Sequence, residues 1–182
     1  MKPWQRVDDG TAVQKVGFRT IVSKRFRMNN GKEMQADISG AEGSEASGVI
    51  ALTSDNKVII AKQFRCGPEK NMFEMPGGLV DPGETPEQAA RRELQEEVGC
   101  EAGTMEYLGK VYGNAWDNAA HHYFLARNCK FNGAHNPEEF EEIEVSTIPI
   151  AEFIKNAKEG LMTDAQGVLL AYDKLKEIEG EQ

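Results

Sequence analysis

Cysteine is scarce in this chain, with only Cys66, Cys100 and Cys129 present. An odd number at no metal-binding spacing argues against a disulfide framework and a cysteine-built metal centre, and suits a reducing, cytoplasmic compartment. Long apolar runs are missing too. No stretch approaches the about eighteen uncharged apolar residues of a membrane span, and the N-terminus MKPWQRVDDG has no apolar signal segment. A membrane partner is therefore not expected. Positive charge is in deficit, with 21 Lys and Arg against 30 Asp and Glu and a formal net charge of −9. Grip on long nucleic acid relies on cations displacing counterions from phosphates, so a nucleic-acid partner is not expected either. A small diphosphate is a different case, because metal ions and a few arginines can meet its charge. Internal repeats and low-complexity tracts are also absent.

What is present is 182 residues with 40% apolar content, enough for one domain with a real core or one domain with an appendage. The organising stretch is Gly78 to Cys100, GLVDPGETPEQAARRELQEEVGC. Thr85 can cap a helix that has Pro86 at its first position and Gln88 reaching back, and Gly99 can close it. A helix is predicted over about 86–98. Glu93, Glu96 and Glu97 then project over one surface and its edge, where like charges repel. The usual remedy is a divalent cation held by hard oxygen ligands. Ala90, Leu94 and Val98 form a separate stripe that faces a core.

Along the chain, residues 1–16 show no clear period and read as a loose arm. Alternation from Gly17 to Ile38, broken by the turn Asn29-Asn30-Gly31-Lys32, predicts a β-hairpin with one basic face. Ser39 to Ser47, SGAEGSEAS, reads as a small-residue linker, so an N-terminal β extension over 1–45 is expected beside a main domain over 46–182. Val49–Leu52 and Val58–Phe64 read as a second hairpin entering the core sheet, Met72–Pro76 leads directly into the organising stretch, and strands are predicted at Met105–Tyr112, His121–Ala126 and Glu144–Ile148. Helices follow at 149–158 and 164–178, the latter with Val168, Leu169, Tyr172 and Leu175 at core spacing. Only one of His121 and His122 can face inward on a strand.

The organising stretch resembles the Nudix box, G-x5-E-x7-R-E-U-x-E-E-x-G-U, where U is bulky and apolar. Gly78, Glu84, Arg92, Glu93, Leu94, Glu96, Glu97 and Gly99 occupy its positions. Cys100 replaces the final aliphatic residue and packs like a small hydrophobe. The resemblance implies an α+β fold, an α/β/α sandwich around a mixed sheet. It also implies hydrolysis of a nucleoside diphosphate linked to a further group, with Mg2+ or Mn2+ as cofactor.

By the same resemblance Glu93, Glu96 and Glu97 are metal ligands, joined by the Gly77 carbonyl, and Glu96 and Arg92 belong to the catalytic set. Glu84 and Arg92 would fix the loop against the helix. The late acidic stretch Pro137 to Ile143 resembles the loop that carries the general base in the branch cleaving ADP-ribose and nucleoside diphosphate sugars, so Glu139 is the expected base and Glu141 a late metal ligand. QFRCGPEKNMFEMPGG resembles that branch's lead-in, with Arg65 on a phosphate and Glu74 on a sugar hydroxyl. Trp116 is a candidate for stacking on a base or sugar. Ala115 stands where ADP-ribose enzymes tend to carry proline, which favours a broader or different nucleoside diphosphate sugar. The N-terminal hairpin resembles a dimerising extension whose Arg25 and Arg27, with Arg19, would reach the partner's base pocket, so a homodimer is expected. The implied products are nucleoside monophosphate and sugar 1-phosphate, or AMP and ribose 5-phosphate from ADP-ribose. The alternatives are a strict ADP-ribose or NADH pyrophosphatase and a non-catalytic nucleotide-sugar-binding module.

Overall fold

The computed structural model describes residues 1–133, 135–136 and 142–180. They divide into two compact units: Met1–Ser44 with Tyr112–Ala120, and Glu45–Val111 with His121–Gln182.

The first unit holds a three-stranded antiparallel sheet of β1 (Gln5–Val16), β2 (Arg19–Arg27) and β3 (Glu33–Ser39), in that order. The predicted hairpin is β2 and β3. Its turn is closed by Met28 N–H donating to Lys32 O at 2.8 Å, with Gly31 at φ 82 supplying the left-handed residue. The loose arm expected over 1–16 is corrected, because Gln5–Val16 pairs along β2 as a full strand. Its register shifts between Val7 and Ala12. Such an irregularity breaks the alternation of faces, so no single period was legible. Val22, Ala36 and Ile38 are the buried apolar residues of β2 and β3. The segment Tyr112–Ala120 belongs to this unit, with Ser39 N–H donating to Trp116 O at 2.9 Å and the Asn118 amide to Gly40 O at 2.7 Å.

The second unit contains β4 (Glu45–Thr53), β5 (Val58–Arg65), β6 (Lys70–Glu74), β7 (Gly77–Leu79), α1 (Pro86–Val98), β8 (Cys100–Glu101), β9 (Thr104–Tyr112), β10 (Ala120–Phe131), β11 (Glu144–Ile148), α2 (Ile150–Lys158) and α3 (Ala165–Gly180). The main path of its sheet runs β11-β5-β4-β10-β8, with β6 on β5, β7 on β4 and β9 on β10. The central strands read as apolar runs because both faces are covered. Ile50, Leu52, Val58, Ile60, Tyr123 and Leu125 pack with Phe153, Ile154, Val168 and Leu175 of α2 and α3. Their alternate neighbours Val49, Ala51, Ile59, Ala61, Phe124 and Ala126 pack with Ala90, Leu94 and Val98 of α1. Helices on each face of one sheet make the α/β/α sandwich of an α+β domain.

One expected core position moves. Leu169 is 78% exposed, whereas Val168, Ala171, Leu175 and Ile178 are buried. Steps of three, four and three keep those four residues on one stripe of α3, and Leu169 turns off it. Leu175→Ala is expected to lower stability by about 2–5 kcal/mol and Leu169→Ala by less than about 0.5 kcal/mol, read from urea unfolding of each variant.

Candidate active site

Helix α1 begins where its capping chemistry dictates. Thr85 Oγ1 accepts from Gln88 N–H at 3.2 Å, and Gln88 Oε1 accepts from Thr85 N–H at 2.8 Å. The helix closes at Gly99, φ 63, a left-handed conformation costly for residues with a β-carbon. These two ends set which face the glutamates share.

Arg92 stands at the centre of that face. Its Nε donates to Glu84 Oε1 at 3.0 Å, and its Nη2 donates to Glu84 Oε2 at 3.1 Å and to Leu79 O at 3.0 Å. Its Nη1 donates to Glu93 Oε1 at 2.7 Å and to Glu96 Oε2 at 3.1 Å. The loop before α1 is thereby tied to the helix. The same cation offsets part of the repulsion among the carboxylates, work that the sequence alone assigned to a divalent ion. Glu97 is buried, and its Oε2 accepts from Gly77 N–H at 2.8 Å.

The paired glycines of the loop are required by space. A β-carbon at Gly78 would lie 2.2 Å from Glu93 Oε1, and one at Gly77 would lie 2.3 Å from Ser47 O. Backbone and carboxylates therefore approach closely in a cradle that a side chain would fill. The donors offered are hard oxygens, the class that magnesium and manganese take, so the residues fit such an ion in kind. Among the described residues, no three acidic, histidine or cysteine side chains are already gathered into a cage. Glu139 and Glu141 lie outside the described residues.

Beside the loop, a cavity of about 200 Å³ is lined by Arg65, Glu74, Gly77, Gly78, His121 and Asp164, among others. Arg65 and Glu74 meet each other there. Arg65 Nε donates to Glu74 Oε1 at 2.7 Å, and its Nη2 pairs with Oε2. Glu74 is 2% exposed, and its carboxylate also accepts from Gln63 Nε2 at 3.1 Å and Thr163 Oγ1 at 2.8 Å. A buried charge requires this degree of pairing. Sequence reasoning read Arg65 and Glu74 as separate ligand contacts and gave no place to Thr163 and Asp164, which line the same cavity. Thr163-Asp164 ahead of α3 looks like an ordinary helix start, and only folding carries it to β6, where Phe73 N–H donates to Leu161 O.

Of the two strand histidines, His122 is buried, 3.0 Å from Tyr107 Oη and 3.1 Å from Glu45 Oε1, while His121 lines the cavity. Trp116, Arg25 and Arg27 belong to the N-terminal unit. Trp116 is exposed, Arg27 pairs with Glu33 at 2.7 Å, and Arg25 stands opposite Gln35 in the register.

The hydrogen bonds from Arg92 hold the Glu84 carboxyl below its ordinary value of 4.5. A depressed carboxyl stabilises the fold in full above the unfolded value and loses that contribution as pH falls through the folded one. Glu84→Gln is expected to flatten the fall of stability with acid below about pH 4.5, measured by denaturant unfolding at stepped pH.

A model of the NUDIX domain matches residues 44–170. The ADP-ribose pyrophosphatase of Bacillus subtilis (strain 168) is 31% identical over 151 residues, covering 81% of this chain and 80% of its own. The methanol dehydrogenase activator of Bacillus methanolicus is also 31% identical, with the same coverage. A crystal structure of an ADP compounds hydrolase superposes with TM-score 0.80 at 21% identity, over 97% of this chain and 96% of that one, which establishes the shared fold. The capped acidic helix, its arginine and the glycine loop it fastens are thus those of the Nudix pyrophosphohydrolase family, to which this chain belongs.

Proposed function

We propose that the chain hydrolyses the diphosphate of a nucleoside diphosphate sugar, ADP-ribose among the substrates, using Mg2+ or Mn2+. Water forms one new P–O bond as the bridging P–O bond breaks, yielding nucleoside monophosphate and sugar 1-phosphate, or AMP and ribose 5-phosphate from ADP-ribose. The observation that carries this reading is the acidic face of α1, braced by Arg92 beside the Gly77-Gly78 loop. The complete set of box glutamates favours catalysis over a binding module, and the relative named for ADP-ribose hydrolysis favours this substrate class.

In this reading Glu93, Glu96, Glu97 and the Gly77 carbonyl hold the divalent ion, with Glu141 as a late ligand. The bound ion supplies Lewis-acid neutralisation of the diphosphate charge. Arg92 keeps Glu93 and Glu96 in place, because groups that orient metal ligands fix both their geometry and their basicity. Glu139 takes the proton of the attacking water. Arg65 keeps Nη1 outside both of its hydrogen bonds to Glu74 and directs it to a phosphate oxygen. Trp116 stacks on a base or sugar, and Arg25 and Arg27 reach the base pocket of the partner subunit. The N-terminal unit forms a homodimer, a reading supported by its exposed Val13, Val16 and Phe18.

A panel of ADP-ribose, GDP-mannose, UDP-glucose, NADH and Ap4A with magnesium is expected to release monophosphate fastest from a nucleotide sugar, and no release from any nucleotide sugar would defeat the proposal. Glu97→Gln should lower turnover by about 10³-fold with unfolding unchanged, and near-normal turnover would refute the ligand assignment. Chelation should abolish activity, and added Mg2+ or Mn2+ should restore it. Deleting residues 1–40 should yield a monomer in sedimentation equilibrium, whereas a persisting dimer would remove the assembly from the proposal.

A further inference from the structure

Gln63 and Arg65 are alternate residues of β5, so their side chains leave the same face of that strand. Glu74 stands opposite Ala61 in the antiparallel pairing of β6 with β5, which sets it on that face as well. Strand pairing thereby gathers a glutamine, an arginine and a glutamate that the sequence spreads over two strands.

Four hydrogen bonds fill the Glu74 carboxylate. Oε1 accepts from Arg65 Nε at 2.7 Å and from Thr163 Oγ1 at 2.8 Å, while Oε2 accepts from Gln63 Nε2 at 3.1 Å and from Arg65 Nη2. A carboxylate has about four lone-pair sites, so none is left for a hydroxyl of a substrate. The group is also buried.

Arg65 is the opposite case. Of the five N–H donors of a guanidinium, its bonds to Glu74 use one on Nε and one on Nη2. Among the described residues no hydrogen bond takes the other three. Nη1 with the second hydrogen of Nη2 makes a free two-pronged edge, the shape that meets two oxygens of a phosphate. The Arg65 side chain is 42% exposed and lines the cavity beside the Gly77-Gly78 loop. A guanidinium is planar and turns as one body, so fastening one edge sets the direction of the other.

We infer that Glu74 is a positioning residue. It makes no contact with substrate; by holding the Nε–Nη2 edge of Arg65 it aims the free edge at a phosphate of the nucleotide sugar, and Gln63 and Thr163 keep the carboxylate itself from turning. Thr163 lies between α2 and α3, so that connection takes part in the alignment. The inference rests on the proposed hydrolysis of nucleotide sugars and adds which residue aligns the arginine.

The test uses the full chain with magnesium and several nucleotide sugars. Glu74→Gln, which removes the fastening charge and keeps the size, is expected to lower kcat/KM by about 10- to 100-fold. The factor should be the same whichever sugar the substrate carries, and its division between KM and kcat should match that of Arg65→Met. In the Arg65→Met background Glu74→Gln should cost less than about 2-fold more, because the group it aligns is already gone. There it should also raise the thermal midpoint, since it neutralises a buried carboxylate left without its cation. Losses that multiply in the double variant would mark a merely structural role, and a loss confined to one sugar would make Glu74 a contact to that sugar. Either result overturns the inference, as does full activity of Glu74→Gln. Should Glu74→Gln fail to fold, Gln63→Leu, which removes a donor that steadies the carboxylate, enters the same cycle and is judged by the same pattern. Should Arg65→Met fail to fold, Arg65→Lys, which lacks the fork, replaces it. If the wild type cleaves no nucleotide sugar, the functional reading fails and takes this one with it; if it cleaves them and the losses multiply, only the role of Glu74 falls.

Discussion

Five hydrogen bonds from one guanidinium hold the acidic face of α1 and the loop before it together. Glu93, Glu96 and Glu97 occupy one side of a single helix, where their mutual repulsion opposes folding. Arg92 answers part of that repulsion from within the same helix and at the same time fastens Glu84 and the Leu79 carbonyl, so the loop is located by the charges it serves. Lysine could not replace it, because a point charge lacks the fork that reaches Glu84 by two nitrogens while a third turns to Glu93 and Glu96. The buried Glu97 completes the link by accepting from Gly77 N–H. Loop, helix and acid cluster thus form one unit before any metal ion or substrate is considered.

A second ion-paired group works differently. Glu74 is buried in the sheet and satisfied by Arg65, Gln63 and Thr163, whereas the side-chain hydrogen bond of Asp164 among the described residues is the hydroxyl it shares with Glu74. The contrast separates two uses of acidic residues within one unit. A saturated carboxylate is scaffolding, since its desolvation is already offset.

Much of this was legible in the chain. The limits of α1 followed from Thr85, Pro86, Gln88 and Gly99 by local chemistry alone, and its core stripe Ala90, Leu94 and Val98 is buried as the helical period requires. The apolar runs Val49–Leu52 and Val58–Phe64 announced a hairpin entering the core sheet, and β4 and β5 pair there antiparallel. The β1 strand was hidden because its register shift erases the alternation, and Leu169 was misplaced because one residue of rotation on a helix separates a buried stripe from solvent.

The sequence by itself determined the family, the acid cluster and the arginine that braces it, since all of these sit within a single loop and helix whose geometry is set by neighbours in the chain. Only the tertiary structure decided that Arg65 would meet Glu74 and that Thr163 and Asp164 would arrive beside them. Those pairings join segments up to 89 residues apart, such as Glu74 and Thr163. No local pattern records them, because burial and hydrogen-bond satisfaction are properties of the packed sheet and its covering helices.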